Sequence, residues 1–206
     1  MYSTEHENTV FARTLCTYLK PIFKAESPNI LNVGCGKCPE AEIVLDSLGG
    51  RMTGIDIKEA DIEMLRARYK NNHQLRFISA DASNLREKVS HAFDIVLARH
   101  PEPDTNWHHI FSECYKTTKE EGILLATCYN LPDFVFTKRN VIKSGYRILH
   151  SSENSEVEYL STALKVATDG HVIVASKCRR SLKEVLYAAF IADAVFLNDM
   201  RKSVPF

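Results

Sequence analysis

Ile30-Leu31-Asn32-Val33 is a short apolar run, and Gly34-Cys35-Gly36-Lys37-Cys38 closes it. A buried strand that stops at paired glycines enters a tight turn, because glycine accepts the backbone angles such a turn needs and leaves the backbone bare. Glu40 to Leu48 then reads as a helix ended by Gly49-Gly50. A second strand, Met52 to Ile57, carries Asp56, 20 residues beyond Gly36. In such a strand–loop–helix–strand unit an acidic side chain there can accept hydrogen bonds from two ribose hydroxyls, and the loop faces the positive end of the helix. The unit reads as a nucleotide-binding one.

The same cadence runs outward from it. Leu75 to Ile78 is a strand leading to Asp81 and a short helix ending at Val89. Phe93 to Ala98 is a strand stopped by Pro101 and Pro103, Trp107 to Thr118 is helical, and Ile123 to Thr127 is the fifth strand. Apolar strands alternating with helices predict a parallel sheet covered on both faces. A helix to Ser144 follows, then Tyr146 to His150 and His171 to Ser176 as two late strands, which reads as an antiparallel hairpin. Thr4-x-x-Glu7 is a capping box opening an N-terminal helix over residues 4–24, and Ser181-x-x-Glu184 opens a helix over 181–200.

Composition narrows the class. With 206 residues, 45% hydrophobic and 25% charged, the chain reads as one domain, 1–206, large enough to hold a core without metal or disulfides. The 26 basic and 26 acidic residues cancel, which disfavours a non-specific nucleic-acid binder. Met1 to Asn8 is polar and acidic, so no secretory leader is expected, and no apolar run is long enough for a membrane helix. A cytoplasmic location is the expectation. Among the six cysteines, Cys128 and Cys178 read as small hydrophobes and Cys35-x-x-Cys38 as part of the loop rather than a redox or metal pair. A dinucleotide fingerprint would place glycine at 39, where this chain has Pro39. Tyr115 and Lys119 match the Tyr-x-x-x-Lys spacing of an NAD(P)-dependent oxidoreductase, yet they precede the fifth strand instead of following it.

These residues resemble the class I S-adenosylmethionine-dependent methyltransferases. "ILNVGCGKC" is similar to that superfamily's first motif, "MTGIDI" to its second, "FISADASNL" to its third, "FDIVLARHPEP" to its fourth and "EGILLATCYN" to its strand-five segment. "SGYRIL" and "HVIVASK" match the closing hairpin, so the resemblance spans roughly residues 29 to 178. The fourth-motif stretch resembles bacterial members of the superfamily and supplies no substrate. The resemblance implies an α/β, Rossmann-like three-layer sandwich: a seven-stranded, mostly parallel sheet with a C-terminal antiparallel hairpin and extra helices at both ends.

What the resemblance implies for the site is specific. Gly34, Cys35 and Gly36 would lie against the methionine part of S-adenosylmethionine, and Ala98 and Arg99 would close that side. Asp56 would hold the ribose and Ile57 would meet adenine, with Asp81 on the adenine amino group and Ala82 beside it. Asn32 stands where the family usually has an acidic residue, and Cys38 replaces the motif's last glycine. These two departures keep a second reading open, a protein that binds S-adenosylmethionine or S-adenosylhomocysteine without catalysis. Arg99-His100-Pro101-Glu102 replaces the Pro-Pro-Tyr-type motif of nucleic-acid amino methyltransferases, which points to a small-molecule acceptor.

His100 is the candidate base, because imidazole titrates near neutrality and the end of the fourth strand opens toward the transferable methyl in this architecture. Arg99 could grip a carboxylate or phosphate. His108 and His109 diverge by about 100° on a helix and cannot easily share a metal, so no metal is expected. Lys177, Arg179, Arg180 and Lys183 read as a solvated basic turn. Val185 to Leu197 is apolar except for Asp193, which makes the last helix a buried one, with a homodimer through it as one way of burying it.

Overall fold

Each central strand alternates its side chains between two apolar faces, so neither face can be left in water. The computed structural model, which describes residues 4–24, 26–102, 106–156 and 169–178, shows how both are covered. The elements run α1 (Thr4–Tyr18), β1 (Asn29–Val33), α2 (Ala41–Leu48), β2 (Arg51–Asp56), α3 (Glu59–Arg68) and β3 (Leu75–Ser79). After a 3-10 turn (Ala82–Asn84) come α4 (Leu85–Lys88), β4 (Phe93–Arg99), α5 (Trp107–Thr117), β5 (Thr118–Cys128), α6 (Leu131–Lys143), β6 (Arg147–Glu153) and β7 (His171–Ser176).

The seven strands lie in the order β3-β2-β1-β4-β5-β7-β6. β1 to β5 are parallel, and β7 inserts antiparallel between β5 and β6. On one face Ile30, Ile95, Leu97, Leu125 and Val174 pack with Phe11, Leu15, Val44 and Leu65 of α1, α2 and α3. On the other, Leu31, Val96, Ala98, Leu124 and Ile173 pack with Phe111, Phe134 and Val141 of α5 and α6. This is the three-layer Rossmann-like sandwich. Cys114 and Cys128 are free and buried, and burial pushes both thiols up, Cys128 to about 12. Among the described residues no helix is long and apolar enough to cross a membrane.

Several boundaries differ from the sequence reading, each for a local reason. α1 stops at Tyr18 instead of running to 24, because Pro21 has no N–H to continue the ladder; turns through Leu19 carry the chain on to Phe23. β5 begins at Thr118, five residues earlier than the apolar run suggested, and its polar start accommodates Glu121 at a φ of 63°. β6 extends to Glu153 because its polar end still pairs with His171. Gly50 takes a φ of 76°, and a Cβ there would meet the Pro28 carbonyl oxygen at 2.0 Å, so only glycine lets β2 start beside β1. The helix read over 181–200 lies outside the described residues.

The strand order reverses between β1 and β4, so the flanking helices leave in opposite directions and a crevice opens beyond the carboxyl ends of these two strands. Phe111, fully enclosed under that crevice, carries much of the α5 face. Phe111→Ala should cost about 3–5 kcal/mol, read as a lowered urea midpoint at constant slope. The exposed Ile57→Ala should stay within about 0.5 kcal/mol in the same titration.

Candidate functional site

The crevice is a cleft of about 300 Å³ lined by the β1–α2 loop, the ends of β2, β3 and β4, and the start of α5. One wall is the glycine loop. The N–H groups of Gly34 and Cys35 both donate to the Ile55 carbonyl, at 2.9 and 3.1 Å. The Gly36 N–H donates to Asp56 Oδ2 at 2.7 Å, and Asp56 Oδ1 accepts from the Lys58 N–H at 2.9 Å. The loop is thus latched to the end of β2. Each Asp56 oxygen has given one lone pair to backbone and retains the other. Gly36 has a φ of 50° and nothing within 4 Å of where a Cβ would stand, so its backbone is open to a ligand.

Of the residues singled out from sequence, Gly34, Gly36, Asp56, Ile57, Asp81, Ala82, Arg99 and His100 all line this cleft. Asp81 accepts from the Ser83 N–H at 2.8 Å and so caps the 3-10 turn at the rim. Asn32, Cys35 and Ala98 do not line it; all three are buried beneath. The Cys35 sulfur stands 2.9 Å from where a Cβ on Gly54 would lie, which explains a glycine in the middle of β2. Ala98 sits between Val33 and Ala126 in the sheet.

Asn32 donates through Nδ2 to Glu40 Oε1 at 2.8 Å and to the Cys38 sulfur at 3.3 Å. A carboxylate is therefore present beside position 32 after all, brought by the last residue of the loop. Cys38 is buried with a φ of 42°. Its hydrogen bond with Cys35, burial and the Glu40 charge push the Cys38 thiol well up, which disfavours a thiolate there.

The charged part of the site centres on Arg99, the last residue of β4. Its Nη2 donates to Asp169 Oδ2 at 2.9 Å and its Nε to Asp169 Oδ1 at 3.3 Å. Nη1 reaches Glu40 Oε2 at 3.4 Å, and the guanidinium lies 4.4 Å from the Phe11 ring centre. His100 follows at a φ of 53°, with its N–H on the Thr127 carbonyl at 2.9 Å. Its ring lies flat on Tyr129, 3.8 Å between centroids, and its Nε2 is 3.1 Å from Asp169 Oδ1. Burial pushes the Asp169 carboxyl up, but the His100 hydrogen bond and the Arg99 charge outweigh it and hold the group well below the usual carboxylate range.

Sequence reasoning missed Glu40 and Asp169. Glu40 reads as the start of a helix. Asp169-Gly170 reads as an ordinary turn, and only the antiparallel placement of β7 brings it to the end of β4. The Tyr115 and Lys119 pair sits elsewhere: Lys119 bonds Asp94 at the start of β4, at the opposite end of the strands from the cleft. His108 and His109 are exposed on α5, and no group of three or more metal-holding side chains exists among the described residues. Lys177 donates to the Thr118 carbonyl at 2.8 Å, while Arg179, Arg180 and Lys183 lie outside the described residues.

Residues 30–122 match the family model described as a methyltransferase domain. Among solved structures the chain is similar to an S-adenosylmethionine-dependent methyltransferase from Clostridium acetobutylicum, with 10% identity, a TM-score of 0.62, and 86% of this chain and 93% of that one covered. It is similar to an S-adenosylmethionine-dependent O-methyltransferase from Thermotoga maritima, with 15% identity, a TM-score of 0.61, and 85% and 66% covered. The cyclase SpnF matches with 16% identity, a TM-score of 0.63, and 84% and 81% covered. At such identities the likeness is one of fold. No curated protein sequence matches the chain.

The Asp169 pairing makes stability acid-sensitive. Its folded pKa is depressed, so its contribution is complete above the ordinary carboxylate value near 4 and falls away as pH drops toward the folded value. Asp169→Asn should cost about 3–5 kcal/mol at neutral pH, because it leaves Arg99 short of a buried partner. Below pH 4 the wild-type advantage should shrink, measured by urea unfolding across pH 2 to 7.

Proposed function

We propose that the chain is a class I S-adenosylmethionine-dependent methyltransferase that transfers a methyl group from S-adenosylmethionine to a small-molecule acceptor, releasing S-adenosylhomocysteine. The observation that carries the reading is the latch between the Gly34–Gly36 loop and Asp56 at the strand-order reversal. The residues present suit the cofactor. A loop without a side chain at Gly36, beside an acidic side chain with unused lone pairs, gives a nucleoside room for its tail and an acceptor for its ribose hydroxyls.

In this reading Gly34 and Gly36 receive the methionine part, Asp56 accepts from the ribose hydroxyls, and exposed Ile57 covers adenine beside Asp81 and Ala82. Asn32, Cys35 and Ala98 support the loop from below, and Arg99 supports it through Glu40. The bound sulfonium supplies an already activated methyl group. The work left to the protein is orientation and exclusion of water, for which Trp107, 3.7 Å from the Cβ position of Gly34, forms a wall. Binding without catalysis drew its support from Asn32 and Cys38. Glu40 weakens that support by placing a carboxylate where Asn32 lacks one. The oxidoreductase reading has no pair at the cleft to carry it.

Asp56→Ala should weaken S-adenosylhomocysteine binding by about 1.5–3 kcal/mol for each charge-assisted hydrogen bond lost, measured by titration calorimetry, with the circular dichroism spectrum unchanged. Unaltered affinity in that variant would remove Asp56 from the site. Turnover of S-adenosylmethionine to S-adenosylhomocysteine with an acceptor separates an enzyme from a binding protein.

A further inference from the structure

We propose that His100 is a catalytic base set by Asp169 as its positioning residue, and that the acceptor it serves reacts through a neutral hydroxyl group. The inference rests on the methyl-transfer reading above. Asp169 is 0% exposed and faces Arg99 with both oxygens, so it stands as a carboxylate and has no proton to give. The proton in its 3.1 Å contact with His100 therefore belongs to Nε2. A neutral imidazole protonated on Nε2 carries its lone pair on Nδ1. His100 lines the cleft, and its Nδ1 has no hydrogen-bond partner among the described residues. The backbone bond to Thr127 and the Tyr129 stack hold the ring in this pose.

Charge selects the acceptor class. Glu40 and Asp169 are two buried carboxylates around one guanidinium, which leaves an unbalanced negative charge beside the cleft. Three of the five N–H groups of Arg99 already donate to these carboxylates, so its positive charge is matched before any acceptor arrives. A carboxylate acceptor would be repelled and has no proton to lose. For a hydroxyl, the O–H bond breaks and its proton moves to Nδ1 as the oxygen takes the methyl group. The methyl-to-sulfur bond breaks with its electron pair left on sulfur. One positive charge thereby passes from sulfonium to imidazolium, where Asp169 is already in place to stabilise it. A neutral amine attacks through its own lone pair and carries the positive charge away on the product, so its transfer step needs no such base. The half-exposed Tyr129 ring is stacked on His100, so an aromatic surface stands next to the proposed base.

Nitrogen-15 NMR of the His100 ring in the full chain at pH 8 reads the tautomer without any ligand. The expected state is protonated Nε2 and bare Nδ1. In Asp169→Asn the amide donates to Nε2 while its oxygen stays on Arg99, so the proton should move to Nδ1, whereas Asp169→Glu should restore the original tautomer in part. A wild-type ring protonated on Nδ1 overturns the proposal, whatever the variants do. In turnover with S-adenosylmethionine, phenol, catechol and benzyl alcohol are the hydroxyl probes, against benzoate and benzylamine. His100→Gln should lower kcat on the hydroxyl probes about 10²–10⁴-fold, with S-adenosylhomocysteine affinity intact. Methylation of benzoate or benzylamine in preference to the hydroxyl probes, or a wild-type rate in His100→Gln, overturns the proposal. S-adenosylhomocysteine failing to bind the wild-type chain overturns the methyl-transfer reading itself and takes the acceptor assignment with it.

Discussion

A guanidinium cannot be buried alone: several kcal/mol of lost hydration per ion must be met by partners of good geometry. Arg99 meets that demand with Asp169, Glu40 and the Phe11 ring, and those three partners belong to three other segments of the chain. The pairing therefore ties the end of β4 to the segment before β7, to the β1–α2 loop and to α1. Asn154 reinforces the same junction by bonding both Thr14 of α1 and the Asp169 carbonyl. A single buried charge thus decides how the N-terminal helix and the late hairpin meet the parallel half of the sheet.

The cleft inherits its character from that junction. Its left wall, the glycine loop, is held from above by Asp56 and from below by Asn32 and Glu40. Its right wall, His100, is held by the same Asp169 that neutralises Arg99. The two walls communicate through Glu40 and Arg99, so the glycine loop and the His100 imidazole share one buried network. Partly satisfied networks of this kind are costly, whereas complete ones are rigid, and rigidity is what in-line transfer requires. The positive φ values of Cys38 and His100 fall at the two ends of this network, where tertiary contacts hold backbone that the residues alone would avoid.

The fold neighbours put the emphasis on such particulars. A methyltransferase, an O-methyltransferase and a cyclase share this architecture with the chain at 10–16% identity. A shared sheet and crevice do not by themselves fix chemistry, which depends on the side chains that line the site.

Much of this is legible in the chain itself. Apolar runs of strand length, glycines at 34 and 36 and an acid at the end of the second strand are local signals, since each depends on residues a few positions apart. They suffice to specify the parallel α/β core, the loop and Asp56. Helix and strand ends are less legible: Pro21 stops α1 early, and polar Thr118 to Glu121 joins β5 only because neighbouring strands offer partners. Asp169 and Glu40 are not legible at all. Nothing in Asp169-Gly170 distinguishes a surface turn from the counter-ion of Arg99, because that role arises only when β7 runs antiparallel between β5 and β6 and returns to the cleft edge. The sequence by itself determined the fold class and the glycine loop, through short-range pattern. Tertiary structure alone decided which carboxylates stand beside Arg99 and His100, because burying a charge selects partners by distance in space, 59 to 70 residues away along the chain.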